Sequence, residues 1–314
     1  MPGVKELTSR PTVFTGGHRA CAGCGAAITL RLLLETPDVP IVASISTGCM
    51  EVVSTIFPYS AWKCSYIHSA FENSAATMSG VESAYRALTR RGRLNQEFRF
   101  IAMGGDGGTY DIGFQSLSGA MERGHRMLYV CYDNQAYMNT GIQRSSATPR
   151  WAHTTTSPAG EVVPGKREAR KDLTAIMVAH EIPYVAQATP AMWADLTRKV
   201  EKALNTDGPT FINVLAPCPL GWGFPTQDTI AISRDAVDTC FWPLFQVVNG
   251  EYKITYKPKE KKPVEEFLRQ QTRYRHLFQK GNEQILKDIQ NYVDFKWAKL
   301  LKLAGEEAAS VGTA

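Results

Sequence analysis

Between residues 26 and 215 the hydrophobic pattern switches repeatedly between a helical and a strand-like period. Ala26–Glu35 (AAITLRLLLE) carries apolar residues at helical spacing and predicts a helix. Ile41–Ser46 (IVASIS) is a short β-type run that stops at Thr47-Gly48 and predicts a strand. Asn73–Leu88 is rich in small residues and predicts a closely packed helix. Phe98–Met103 predicts a strand running into Gly104-Gly105-Asp106-Gly107-Gly108, and a helix over Gly113–Arg123 precedes the buried-strand run Met127–Tyr132. Further on, Leu173–His180 and Pro190–Leu204 predict helices, each followed by a strand, Tyr184–Gln187 and Thr210–Leu215. Strands separated by helices imply parallel βαβ units. The expected fold class is therefore α/β, a parallel sheet with helices on both faces.

Two stretches break this rhythm. Thr140–Lys171 is rich in Thr, Ser, Pro and Gly and lacks periodicity. A loop of that length inside a compact α/β domain is usually functional or partner-facing. Beyond Gly221 the regularity ends, and residues 257–304 read as one or two basic amphipathic helices. The expected organisation is one ligand-binding domain over residues 1–225 and a C-terminal helical extension over 226–314 that contacts a partner.

Composition changes this picture little. Among 314 residues, 44% are hydrophobic and 21% charged, the balance of an ordinary globular protein. No apolar run approaches the roughly 18 residues needed to cross a bilayer, and the start MPGVKELTSRPTVFTGG lacks the apolar core of a secretory signal. A cytoplasmic protein without membrane contact is expected. The net charge of +5 owes much to Lys257, Lys259, Lys261 and Lys262, which read as a solvated face. No module interleaves basic and aromatic residues, so nucleic acid is not an expected partner.

The strongest chemical signal is Gly105-Asp106-Gly107 directly after one strand, with Asp133-Asn134 directly after the next. The interval holds one helix and one strand, which places both motifs at the carboxyl ends of neighbouring parallel strands, where ligands bind. A Gly-Asp-Gly turn alone is only a tight turn. Paired with Asn134, it offers one carboxylate and one neutral carbonyl to a hard cation such as Mg²⁺, which takes oxygen ligands and substrate phosphates. The glycines let a diphosphate approach the backbone, and the helix that follows favours anions. A nicotinamide fingerprint is excluded, since no G-x-G-x-x-G opens a helix here.

Seven cysteines in such a chain point to metal ligands or core packing before disulfides. Cys21-Ala-Gly-Cys24 is a C-x-x-C pair, and Cys49 and Cys218 each follow a predicted strand. Converging at one sheet edge, these four suit either zinc or a [4Fe–4S] cluster. Cys131 reads as a small buried hydrophobe. Cys64 and Cys240 show no role.

The pairing of Asp106 with Asn134 resembles the thiamine-diphosphate motif. YDNQAYMNTGIQRSS (132–146) is similar to the pyruvate:ferredoxin oxidoreductase family, and GHRACAGCG (17–25), TGCMEVV (47–53) and PCPLGW (217–222) resemble that family's proximal-cluster segments. The chain is identified as a member of the 2-oxoacid:ferredoxin oxidoreductases, as their thiamine-binding β subunit. The resemblance implies a thiamine-diphosphate-binding fold and Mg²⁺ held by Asp106, Asn134 and the Ala136 carbonyl. It places the diphosphate at Gly105 and Gly107, and Thr140, Thr47 and Gly48 beside the cofactor. Tyr137 and Asn139 would lie near the thiazolium and substrate, and Cys21, Cys24, Cys49 and Cys218 would hold one [4Fe–4S] cluster. The implied reaction is thiamine-dependent oxidative decarboxylation, with electrons passing to that cluster and onward to ferredoxin. A non-redox thiamine enzyme with structural zinc is the remote alternative.

No ferredoxin-like run of cysteines occurs, so another subunit is expected to carry two further clusters. The pyrimidine-binding domain, with the carboxylate that activates thiamine, is expected on a partner as well. Glu51, Glu72 and Glu82 are this chain's own acidic candidates. The loop Thr148–Thr156 departs from the pyruvate pattern by carrying Arg150, Trp151 and His153. Arg150 and His153 would favour a more anionic substrate, so oxalate is expected ahead of pyruvate.

Overall fold

Each parallel strand of the structure, a computed structural model describing residues 3–306, ends at the same edge of one sheet. The strands are β1 Ile41–Ser46, β2 Ser65–Ser69, β3 Arg99–Gly105, β4 Leu128–Asp133, β5 Tyr184–Ala188, β6 Thr210–Leu215, β7 Leu244–Val248 and β8 Glu251–Tyr256. Their order is β2-β1-β3-β4-β6-β5-β7-β8. The first six pair in parallel, and β7 and β8 add antiparallel. β4, β5 and β6 are buried along their whole length, as strands covered on both faces must be, which is why they read as unbroken apolar runs.

The helices are α1 Val4–Ser9, α2 Gly25–Glu35, α3 Cys49–Ser54, α4 Ser74–Arg90, α5 Phe114–Glu122, α6 Leu173–Val178, α7 Trp193–Asn205, α8 Pro219–Trp222, α9 Thr229–Asp238, α10 Val264–Arg269 and α11 Glu283–Leu303. α2 and α7 cover one face, burying Leu30, Leu33 and Leu34 of α2 with Leu196 and Val200 of α7. Each such side chain contributes about 1.5–3 kcal/mol, so Leu33→Ala should cost about 2–5 kcal/mol. α4, α5 and α6 cover the other face through Met78, Leu117 and Met177. The expected α/β sheet with helices on both faces is present, and the anticipated elements lie within two or three residues of their observed bounds.

The reading that regularity ends at Gly221 needs correction. β7 and β8 form a hairpin about Asn249-Gly250, whose φ angles of 48° and 84° are those of a primed two-residue turn. The hairpin extends the sheet beyond β5, and α9, α10 and α11 follow around it. A third core cluster joins Ala152, Leu215 and Trp222 to Ile232, Phe267 and Val293, so residues on either side of position 225 share one core.

Candidate active site

The chain leaves β1 toward β2 on one side and β3 toward β4 on the other, so the sheet reverses direction between β1 and β3. Ligands bind at such a switch point, beyond the carboxyl ends of the strands. A cavity opens there, lined by Thr47, Gly48 and Cys49 after β1, Gly105 to Gly108 after β3, and Asn134 and Ala136 to Thr140 after β4. Phe71 and Tyr132 complete the wall.

The turn after β3 is a single π-helical turn, Gly107–Ile112. Such wide turns are rare and favour functional sites. Gly107 is required by contact, since a Cβ there would meet the Tyr137 ring at 2.3 Å. The Tyr137 hydroxyl donates to the Gly107 carbonyl (3.1 Å) and to Asp111 Oδ2 (3.2 Å). Tyr137 thereby braces the glycine turn.

Asp106 is 1% exposed. Its Oδ2 accepts from Ser145 Oγ (2.5 Å) and its Oδ1 from the Asn134 backbone N–H (3.3 Å). The Asn134 side-chain terminus sits 2.7 Å from Asp106 Oδ1 and 2.8 Å from the Ala136 carbonyl oxygen. With its nitrogen turned inward, Asn134 would donate to both. With its oxygen inward, it faces two other oxygens with no hydrogen between them. An octahedron with Mg–O of about 2.0–2.1 Å has edges of about 2.9 Å, close to this spacing. Burial, followed by the Asp133 charge, pushes the Asp106 carboxyl well above the usual range. The oxygen-inward orientation offers a donor set of the kind Mg²⁺ takes.

Asp133 has partners of its own. Its Oδ2 accepts from Tyr110 Oη (2.7 Å) and Arg170 Nη2 (2.6 Å), a buried pairing that anchors the end of β4. Gln135, next in the loop, takes a left-handed φ of 71° that lets Asn134 and Ala136 face the same point.

The cysteines lie beside this oxygen site. Cys24 and Cys218 stand at the N-termini of α2 and α8, and Cys49 is the first residue of α3. Helix N-termini favour anionic sulfur. The Gly25 N–H donates to the Pro217 carbonyl (3.1 Å), and Thr229 Oγ1 donates to the Gly23 carbonyl (2.5 Å), tying the three loops together. Burial pushes the Cys49 thiol up to about 12, with the charges of Cys218, Cys24, Asp106 and Cys21 adding to it. Burial likewise holds Cys218 at about 11, and Cys24 and Cys21 act on it in turn. Among the described residues, no three His, Cys, Asp or Glu are gathered tightly enough for a single metal ion. Cys131 is buried in β4, Cys64 packs at the edge of the α2–α7 core, and Cys240 lines a separate cleft under α11.

The other expected residues divide. Asn139 and Thr140 are exposed at the cavity mouth, with Thr140 Oγ1 donating to Gln143 Oε1 (2.5 Å). Arg150 and His153 do not line this cavity. Arg150 faces the cleft under α11, donates to the Arg167 carbonyl (2.7 Å) and stacks over Trp151, while His153 Nδ1 accepts from the Ala159 N–H. Glu51 pairs with Thr55 and His68, Glu82 is buried against His125 and Arg86, and Glu72 is exposed. Among the described residues lining the cavity, Asp106 carries the one carboxylate. Sequence patterns missed Ser145, Trp222 and Arg273, all of which support the oxygen trio. Only Ser145 carries a local signal, as a hydroxyl in a long Ser/Thr loop.

A glycine turn and an oxygen trio at the switch point of such a sheet define a thiamine-diphosphate-binding domain. Residues 46–214 match the model of the thiamine pyrophosphate enzyme C-terminal TPP-binding domain. Over 296 residues the chain is 54% identical to pyruvate synthase subunit PorB of Methanocaldococcus jannaschii, covering 94% of this chain and 98% of that one. It is 48% identical over 305 residues to pyruvate synthase subunit PorB of Thermotoga maritima (95% and 94% covered). It is 43% identical over 293 residues to ketoisovalerate oxidoreductase subunit VorB of Pyrococcus abyssi (93% of each). The solved 2-oxoglutarate:ferredoxin oxidoreductase of Magnetococcus marinus superposes with a TM-score of 0.54 at 20% identity, over 66% of this chain and 67% of that one, a likeness of fold. The chain belongs to the thiamine-binding β subunits of the 2-oxoacid:ferredoxin oxidoreductase family. Among the described residues, no helix is long and apolar enough to cross a membrane.

Proposed function

We propose that this β subunit serves a pyruvate synthase, a hetero-oligomer that converts pyruvate and coenzyme A to acetyl-CoA and CO₂ while two electrons leave through iron–sulfur clusters toward ferredoxin. The carrying observation is that Cys49 lines the same cavity as Asp106, Asn134 and Ala136. A thiol ligand beside a diphosphate-metal cradle suits a cofactor that must hand on electrons. The oxalate expectation rested on Arg150 and His153, and both lie outside the cavity. The nearly full-length relatives carry pyruvate in their names, which supports pyruvate over oxalate.

Thiamine diphosphate, when bound, supplies the carbon nucleophile and the electron sink. Asp106 supplies the negative charge of a Mg²⁺ site, and the Asn134 amide and Ala136 carbonyl supply neutral oxygens. Gly105 and Gly107 let the diphosphate reach the backbone. Asn139, exposed at the mouth, presents an amide to the substrate, and Tyr137 keeps the glycine turn in place. Cys21, Cys24, Cys49 and Cys218 hold the [4Fe–4S] cluster. The carboxylate that activates the aminopyrimidine comes from a partner subunit, because Glu51 and Glu82 are engaged elsewhere and Glu72 does not line the cavity.

An anaerobic assay of the assembled complex with methyl viologen tests the substrate. Reduction with pyruvate should require coenzyme A, and oxalate should give none. Reduction by oxalate without coenzyme A would overturn the pyruvate reading. A colourless protein with zinc would support the non-redox alternative.

A further inference from the structure

The Asn134–Ala136 segment can direct two oxygens at one point only because Gln135 reverses the chain between them. Left-handed backbone is unfavourable for a residue with a Cβ, so something has to hold it. Four hydrogen bonds do. The Gln135 N–H donates to Asp133 Oδ1 (3.1 Å), and Thr148 Oγ1 donates to the Gln135 carbonyl (2.7 Å). Trp222 Nε1 donates to the Asn134 carbonyl (2.7 Å), and Arg273 Nη2 donates to Gln135 Oε1 (2.7 Å).

The last two come from far along the chain and are joined to each other. The Arg273 guanidinium lies 4.0 Å from the centre of the Trp222 ring. Arg273 is 5% exposed, makes no ion pair among the described residues, and has a second neutral partner, Gln271 Oε1 (2.8 Å). A buried cation without a counter-ion is expensive, which argues that the fold keeps it for a purpose. On its other side, Trp222 ends α8, whose first turn is capped by Cys218: Sγ accepts from the Gly221 N–H (3.3 Å). Thr272 locks onto the Gly223 carbonyl through both its N–H (3.1 Å) and its Oγ1 (2.8 Å), so α8 and the Arg273 segment move as one.

We infer that Arg273 is a positioning residue shared by both halves of the site: its hydrogen bond to Gln135 sets the oxygen trio, while its charge, stacked on Trp222, bears on the cluster beside Cys218. This rests on the Mg²⁺ and cluster assignments above. The two roles need different properties. Setting the trio needs the planar fork of arginine, and acting on the cluster needs only a buried positive charge.

The test measures, in the assembled complex, the dissociation constant of Mg²⁺ in the presence of thiamine diphosphate and the cluster's midpoint potential. Arg273→Met should weaken Mg²⁺ by about 10–100-fold, the range for a residue that orients a ligand, and should lower the potential, since a cation stabilises the reduced cluster. Arg273→Lys should weaken Mg²⁺ but leave the potential near that of the parent. Gln135→Gly accepts a positive φ freely, so adding Arg273→Met to it should cause no further loss of Mg²⁺ affinity while still lowering the potential. The inference is overturned if Arg273→Met binds Mg²⁺ like the parent, or if its loss persists undiminished beside Gln135→Gly. Should Arg273→Met fail to assemble, the Lys and Gly variants decide between the same outcomes. A parent complex that holds neither Mg²⁺ with thiamine diphosphate nor a cluster would instead sink the underlying site assignment.

Discussion

The oxygen half and the sulfur half of this site share one sheet edge yet are built in opposite ways. Asp106 and Asn134 are buried, braced by Ser145 and Trp222, and in direct contact with each other. Cys21 is exposed, and Cys24, Cys49 and Cys218 are half-buried at the N-termini of α2, α3 and α8. Burial also pushes Cys49 and Cys218 up to about 12 and about 11, away from the thiolate that a metal needs. Burying the Asp106 carboxylate costs the fold stability that the exposed side of the sulfur half does not lose. In the proposed assignment the cluster has to take these thiols as thiolates, so its binding is coupled to proton release.

The sharpest way to break this contrast is Asp106→Ala. It removes the one charged oxygen, so Mg²⁺-dependent retention of thiamine diphosphate should fall by more than the about 100-fold at the top of the range for outer-shell residues. The cluster's colour should survive. Loss of the cluster with thiamine retained would contradict the assignment of Asp106, and equilibrium dialysis beside a visible spectrum reads both at once.

Cys49→Ser is the reciprocal change. The brown colour and the electron paramagnetic signal of the reduced cluster should disappear. Mg²⁺ affinity should drop by less than about tenfold, because the oxygen trio keeps every brace it has in the parent. A larger drop would mean that the cluster also shapes the oxygen half, and the contrast would blur.

The same contrast governs what the sequence made legible. Asp106 and Asn134 follow strands with strong apolar runs, so local pattern alone places them on neighbouring strand ends. The cysteine loops are likewise fixed by the ends of β1 and β6 and by the start of α2. The supports are another matter. Arg273 reaches Gln135 across 138 residues and Ser145 reaches Asp106 across 39, and no periodicity reports such a contact. The β7–β8 hairpin is a different kind of omission. Asn249-Gly250 between LFQVV and EYKITY is a strong local hairpin signal, lying in the stretch between Gly221 and residue 257 for which no regular element is expected. Arg150 and His153 show the limit of composition as an argument: a guanidinium and an imidazole in a substrate-like loop turn to a carbonyl and a backbone N–H outside the cavity.

The smallest expected effect is the most direct measure of what readiness costs. In the metal-free protein, burial and the Asp133 charge hold the Asp106 pKa well above its unfolded value, near 3.9. Over the window between those two values the folded chain binds more protons than the unfolded chain, so stability must fall as pH rises through it. Above the window the full penalty of a buried carboxylate is present. Mg²⁺ reverses the sign, because it stabilises the deprotonated form that the apo site disfavours. The thermal midpoint of chelator-stripped complex should therefore decline from about pH 4 upward relative to Asp106→Asn, which has no proton to lose. With Mg²⁺ and thiamine diphosphate the parent should regain that ground while Asp106→Asn gains little. Parallel pH profiles for parent and Asn variant, with and without Mg²⁺, would show that Asp106 is not the strained group, and the oxygen half would then be no more costly to build than the sulfur half.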